Sequence, residues 1–311
     1  MRTEFTFPSA DGKTSIYAVK RVPDDGRCRA VIQLTHGMVE YIGRYKAFAD
    51  FLESQGFVVV GHDHLGHGHS VTGPDELGFF DEKDPSGVLV KDMHTLRTLT
   101  QKEYPDVPYI MFGHSMGSYL LRTYLSIYGQ GLAGAIICGT GYEKPGTTGF
   151  ALWYIRLLTR LHGSHYRSRR VQQMTYGKPY RNFDTTGQHP EQSWLSKNVE
   201  SVKAYYKDPW CTYTFTLNGY RGLLESVRFS GNPANIDRIP KDLPLLIISG
   251  HNDPVGNLGT NVELVRDLYQ KAGIRDITLR LYDYDRHEIL NEPDHEQVYK
   301  DIMNWISRIL K

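Results

Sequence analysis

Tyr109-Ile110-Met111-Phe112-Gly113-His114-Ser115-Met116-Gly117-Ser118-Tyr119-Leu120-Leu121 decides the reading of this chain. Tyr109–Phe112 is a short apolar run of strand type, and Tyr119–Tyr128 has helical periodicity. Between them lies Gly113-His114-Ser115-Met116-Gly117, a G-x-S-x-G pentapeptide in a strand–turn–helix context. An abrupt strand-to-helix turn holds its middle serine in a strained, exposed conformation, and the crowded flanking positions exclude side chains. The helix N-terminus then brings backbone N–H groups beside the hydroxyl. The competing reading is a serine that merely caps a buried helix.

Outward from this pentapeptide, strand-like and helix-like segments alternate. Glu4–Phe7, Ser15–Lys20, Ala30–Leu34, Phe57–Gly61 and Ala135–Cys138 read as strands, and Tyr45–Leu52 and Val88–Leu99 as helices. The alternation resumes with strands at Leu243–Ser249 and Ile277–Tyr282 and helices at Asn261–Lys271 and Glu296–Leu310. This pattern predicts an α/β fold, a mostly parallel sheet with helices on both faces. Between about 141 and 240 it breaks. Helix candidates there are Phe150–Leu161, Val199–Tyr206 and Tyr220–Ser226, with many large aromatics. The expected organisation is a core at 1–140, a helical cap insert at 141–242, and the rest of the core at 243–311.

Composition limits the function classes. The 311 residues are 40% hydrophobic and 23% charged, a soluble globular balance. Lys plus Arg number 36 and Asp plus Glu 35, for a net charge of +1, which excludes a nucleic-acid binder driven by bulk charge. The balance is uneven: residues 141–240 hold 14 Lys and Arg against 7 Asp and Glu, or +7, and the remainder is −6. Cys28, Cys138 and Cys211 form no C-x-x-C pair. The N-terminus lacks the apolar core of a secretory signal, and no apolar run approaches the ~20 residues of a membrane span. A cytoplasmic protein is expected.

A serine nucleophile needs a histidine base and a carboxylate behind it, in the chain order Ser, acid, His. His287 follows the Ile277–Tyr282 strand, whereas His295 begins the last helix. Asp253 follows the Leu243–Ser249 strand and ranks above Asp283 and Asp285, which are too close to His287 in sequence. Oxyanion donors are expected from the N–H groups of Met116 and of Met38, after the turn His36-Gly37. The loop Gly61–His69 invites a rival reading. His62, His64 and His67 have partial zinc-motif spacing, but Gly66 stands where the motif has Asp. No metal and no cofactor are expected.

These residues resemble a known family. The chain is similar to α/β-hydrolases of the monoacylglycerol lipase and lysophospholipase type, serine hydrolases related to the S33 peptidases. His36-Gly37-Met38-Val39-Glu40-Tyr41-Ile42-Gly43-Arg44-Tyr45 resembles the family's H-G-x-x-E-H-x-x-R-Y, with Tyr41 in place of His. Asp63–Ser70 matches D-x-x-G-H-G-x-S, Gly113–Gly117 matches G-H-S-M-G, and Asp253–Gly256 and Arg286–Glu288 match the acid and base segments. The resemblance implies Ser115, Asp253 and His287 as a triad, Met38 and Met116 as oxyanion donors, and a cap over the site. Glu40 and Arg44, four apart, are read as a pair supporting the oxyanion loop.

The expected activity is hydrolysis of lipid-type carboxylic esters, monoacylglycerol or lysophospholipid-like with a medium to long acyl chain, through an acyl-enzyme. Gly37, Tyr41, Trp153, Tyr154 and Trp210 are the candidate pocket residues. The expected partner is a small ester or lipid, with peripheral membrane or micelle contact through the basic cap. Alternatives within the fold are a short-chain carboxylesterase or an acyltransferase. Outside that class they are a zinc metallohydrolase using His62, His64 and His67, or a non-catalytic binding protein. An epoxide hydrolase or dehalogenase would carry Asp at position 115, and a proline iminopeptidase H-G-G-P-G at 36–40.

Overall fold

The computed structural model describes residues 1–311. Its strands are β1 (Arg2–Pro8), β2 (Ser15–Arg21), β3 (Val31–Thr35), β4 (Val58–His62), β5 (Tyr109–His114), β6 (Gly134–Cys138), β7 (Leu245–Gly250) and β8 (Ile277–Tyr282). Its helices are α1 (Lys46–Ser54), α2 (Pro85–Glu103), α3 (Met116–Tyr128), α4 (Pro145–His162), α5 (Arg169–Thr175), α6 (Val199–Lys207), α7 (Leu217–Ser230), α8 (Pro233–Ile236), α9 (Thr260–Lys271) and α10 (His295–Ile309). All eight strands form one sheet in the order β1-β2-β4-β3-β5-β6-β7-β8. Only the β1–β2 and β2–β4 pairings are antiparallel.

Both faces of the sheet are covered, which explains why β3–β7 read as continuous apolar runs. Alternate side chains of each strand go to opposite faces. Val31, Met111 and Ile247 pack with α2, α3 and α9, whereas Ile32, Phe112 and Ile248 pack with α1 and α10. The chain turns one way after β3, to β4, and the other way to β5. Ligands of open α/β sheets bind at the carboxyl ends of the strands where the order reverses. The turn after β3 carries His36-Gly37-Met38, and the turn after β5 carries Ser115.

Helices α4–α8 all lie between β6 and β7 and add no strand to the sheet. The end of this insert is rooted in the core, because α7 packs on both α2 and α3. Thr216 Oγ1 donates to Gly78 O, and the Asn218 amide bonds Phe80 N and Asp81 O. Arg122, fully buried in α3, donates to Tyr269 of α9, Thr140 and Gly141 after β6, and Ser230 of α7. Four hydrogen bonds from one planar group thus tie the sheet layer to the insert.

From sequence, His62, His64, His67 and His69 are expected in turn and loop positions, partly exposed. The structure corrects this for three of them. His62, His64 and His67 are fully buried, packed with His36, and only His69 is exposed. The loop turns inward because Asp63 gathers it: Oδ1 accepts from Ile42 N and Oδ2 from His69 N. His36 Nε2 accepts the His64 N–H at 2.9 Å, so that nitrogen carries no proton. No cluster of three or more His, Cys, Asp or Glu is placed to hold a metal ion. Burial pushes the pKa of His62 down to about 3 and those of His64 and His67 well below the usual value, with neighbouring rings adding to the effect.

Two outcomes follow from these contacts. An added Cβ at Gly117 would collide with the carbonyl oxygens of Thr35 and His36, whereas one at Gly149 in α4 meets nothing. Gly117→Ala should therefore cost about 3 kcal/mol in urea denaturation, and Gly149→Ala should raise stability by up to ~1 kcal/mol. The buried histidines stay neutral when folded but take up protons when unfolded below about pH 6.5. Stability should therefore fall with pH by roughly 1.4 kcal/mol per unit for each such ring. A urea midpoint unchanged between pH 7 and pH 5 would contradict this.

Candidate active site

Ser115 occupies the junction of β5 and α3 with φ 54° and ψ −121°, a region that L side chains rarely adopt. Close packing imposes the strain. A Cβ at Gly113 would strike the Gly117 carbonyl, and Ser115 N–H donates to Cys138 O at 3.0 Å. Ser115 stands at the N-cap position of α3, yet its side chain makes no capping bond. The hydroxyl is therefore not used as a helix cap. The turn after β3 presses against it: a Cβ at Gly37 would lie 3.0 Å from Ser115 Cβ. That contact brings Met38 to the same cavity, and Met116 opens α3 beside Ser115.

Asp253 and His287 come together from the loops after β7 and β8. His287 Nδ1 donates to Asp253 Oδ2 at 2.9 Å. The carboxylate is completely buried and also accepts from Ser249 Oγ at 3.1 Å and Val255 N at 2.9 Å. His287 is 2% exposed and lies beneath Trp194, ring centroids 4.9 Å apart. Its ring makes no hydrogen bond to Ser115, but both residues line one chamber. The rival acids lie elsewhere: Asp285 pairs with Lys197 at 2.6 Å, and Asp283 is exposed.

Behind these residues is an ionic network that sequence reasoning found only in part. Arg44 pairs with Glu40 at 2.9 Å as expected, and also grips Glu288 through both oxygens at 2.7 and 2.8 Å. Glu40 Oε1 accepts the Gly37 N–H at 2.5 Å and the Tyr45 hydroxyl at 2.9 Å. His114 Nε2 donates to the His287 carbonyl at 3.1 Å, and its Nδ1 lies 3.0 Å from the Tyr45 oxygen. His114 Nδ1 also lies 3.4 Å from Glu40 Oε1, so the ring sits between a carboxylate and a carbonyl. Burial alone would lower the His114 pKa, but the Glu40 carboxylate beside it raises it. Burial likewise opposes ionisation of Glu40 and Glu288. It is outweighed by His114 and Arg44 at Glu40, and by Arg44 at Glu288.

Two chambers meet at Ser115. One, of about 470 Å³, is apolar, lined by Ile155, Val171, Leu223, Leu224 and Val227. Glu143 is its one charged residue, and burial raises that carboxyl's pKa. The other, of about 730 Å³, is lined by Gln172, Gln188, Thr185, Tyr206 and His287, and by no Lys or Arg. Met38, Ser115, Tyr176, Trp194 and Tyr220 border both and form the partition.

The predicted pocket residues divide. Tyr154 lines the apolar chamber. Trp153 does not: it is 57% exposed, because α4 turns Leu152 and Ile155 inward and Trp153 out. Tyr41 and Trp210 pack on one another at 5.0 Å outside both chambers, where the Tyr41 hydroxyl donates to Asp208 at 2.9 Å. Gly37 lies behind Ser115 rather than on a chamber wall. Sequence reasoning missed Trp194, Tyr176 and the Gln and Thr side chains of 172–188. The cue was the run of neutral polar residues in that otherwise aperiodic stretch.

Comparisons with known proteins bear on the family and the fold. A family model described as "Serine aminopeptidase, S33" matches residues 26–294. The chain is 26% identical over 306 residues to the monoacylglycerol lipase of Mycolicibacterium smegmatis, covering 98% of this chain and 97% of that one. It is 28% identical over 292 residues to the monoglyceride lipase of Mus musculus, covering 91% and 84%. Among solved structures, it superposes on a thermostable carboxyl esterase from Bacillus coagulans in complex with glycerol. The TM-score is 0.90 at 28% identity, with 100% and 99% of the chains covered. With most of its length matched by that model, the chain belongs to the serine aminopeptidase S33 family of α/β-hydrolases.

Proposed function

We propose that this carboxylic ester hydrolase cleaves lipid-type esters through an acyl-enzyme on Ser115. The observation that carries this reading is a strained, uncapped serine where an apolar and a polar chamber meet, with a buried Asp253–His287 pair on the polar side. The acyl chain lies in the apolar chamber and the alcohol in the polar one. His287 takes the Ser115 proton as Oγ attacks the ester carbonyl, a contact that closes when substrate binds. The N–H groups of Met38 and Met116 hold the oxyanion. His287 then protonates the leaving alcohol, and water releases the fatty acid. Asp253 fixes the imidazole tautomer and stabilises the imidazolium. The network behind the site keeps the loops carrying Gly37, Ser115 and His287 in register.

The segment 141–242 acts as the cap, since α4, α5 and α7 supply most of the apolar wall. Phe150, Trp153, Leu157 and Leu161 form an exposed stripe along α4, with Arg156 and Arg160 on the same helix. Such a face favours peripheral contact with a lipid surface. No helix is long and apolar enough to cross a membrane. The absence of Lys and Arg from the polar chamber favours a neutral alcohol, so a monoacylglycerol over a lysophospholipid.

Ser115→Ala should lower kcat by at least ~10⁴-fold with an unchanged circular dichroism spectrum. A fluorophosphonate should add its mass to the Ser115 peptide of the native chain only. Retained turnover or labelling in the variant would reject the nucleophile. Across p-nitrophenyl esters from acetate upward, each added methylene should raise kcat/KM up to about fourfold until the apolar chamber is full. A maximum at acetate would reject the lipid-type substrate.

A further inference from the structure

The polar chamber is larger than the apolar one, about 730 Å³ against 470 Å³. A three-carbon alcohol would leave most of it empty. Part of its wall, Thr185 to Gln188, comes from the turn Asp184–His189. Asp184 accepts from Thr186 N at 2.8 Å and His189 N at 3.0 Å, and Asp184 N donates to Gln192 O at 2.8 Å. Gly187, at φ +81°, packs so closely on the Tyr206 ring that a Cβ there would overlap it. The turn is thus fixed, and it carries Thr185 and Gln188 to the chamber.

These groups suit a particular ligand chemistry. Gln173, Thr185 and Gln188 make no side-chain hydrogen bond within the chain, and the Gln172 amide uses only its oxygen, toward Thr214. Three amides and a hydroxyl, donors and acceptors in nearly equal number, can therefore exchange solvent for a ligand, Gln173 and Gln188 being exposed and Gln172 and Thr185 half-buried. Tyr206 and Tyr213 border the same space with flat apolar surface. The acidic groups on the wall are Glu40 and Glu288, both paired with Arg44, and the His114 ring lies beside Glu40. A phosphate would meet two carboxylates and no Lys or Arg there. A neutral ring bearing several hydroxyls satisfies the amides with its O–H groups and the tyrosines with its C–H faces.

We propose that the alcohol chamber accepts a neutral polyol larger than glycerol, so that the enzyme hydrolyses fatty-acyl esters of mono- and disaccharides. The proposal rests on the reading of Ser115 as nucleophile. The ester C–O bond breaks as the Ser115 Oγ–acyl bond forms, and the sugar hydroxyl leaves with the proton held by His287. Water then cleaves the acyl-enzyme, giving the fatty acid and the free sugar with no other reactant.

The test compares kcat/KM for decanoyl glucose, decanoyl sucrose, monodecanoylglycerol, decanoyl lysophosphatidylcholine and p-nitrophenyl decanoate. At least one sugar ester should fall within about tenfold of monodecanoylglycerol, and the lysophospholipid roughly 100-fold or more below it. Replacing Gln188→Leu together with Thr185→Val should raise KM for the sugar ester at least about tenfold more than for p-nitrophenyl decanoate. Both sugar esters roughly 100-fold below monodecanoylglycerol, a lysophospholipid cleaved as well as they are, or equal KM changes for the two substrates would overturn the proposal. Absence of p-nitrophenyl decanoate turnover would overturn the ester-hydrolase reading itself.

Discussion

One guanidinium between two buried carboxylates holds the site together. Arg44 bridges Glu40, on the loop after β3, and Glu288, next to His287. Glu40 in turn takes the Gly37 N–H, and through Tyr45 and His114 the network reaches the residue before Ser115 and the carbonyl of His287. Three loops from distant parts of the sequence are thus fixed by charge-assisted bonds in a water-poor interior. Burying these charges is costly, and the cost is met only while every partner is present. Arg44 and the His114 ring together face the two carboxylates, directly behind His287.

The insert between β6 and β7 turns this scaffold into a divided cavity. Its α7 is fixed to α2 and α3, and buried Arg122 reaches across to the same helix. Trp194 is held from below: the His287 N–H donates to its carbonyl at 3.4 Å, and the next strong bond, Glu288 N–H to Leu195 O, measures 2.7 Å. The partition is therefore anchored to the loop that carries His287.

Legibility in the sequence followed the kind of constraint involved. Gly113, Ser115 and Gly117 could be read because close backbone contact dictates residue type at fixed spacing. The strands could be read because their burial on both faces demands apolar runs. Asp253 and His287 emerged from chain order and from their places after β7 and β8. Glu40 and Arg44 were visible as a local pair, but Glu288 was not, since its partner is 244 positions away. Trp153 shows the opposite failure. An aromatic at helical spacing looks the same whether its face meets a cavity or solvent. The Gln and Thr wall lies on short turns with no periodicity, so only its composition could have marked it.

The partition of Tyr176, Trp194 and Tyr220 has a kinetic meaning under the proposed reaction. Acid and alcohol are formed on opposite sides of one wall, each in its own compartment. Neither product has to pass the other on leaving, so their order of departure is not imposed by the protein. The vacated alcohol side can admit the attacking water while the acyl chain is still seated. Traffic through the site is thereby sorted by polarity, with the oily tail and the hydrated head travelling by separate routes.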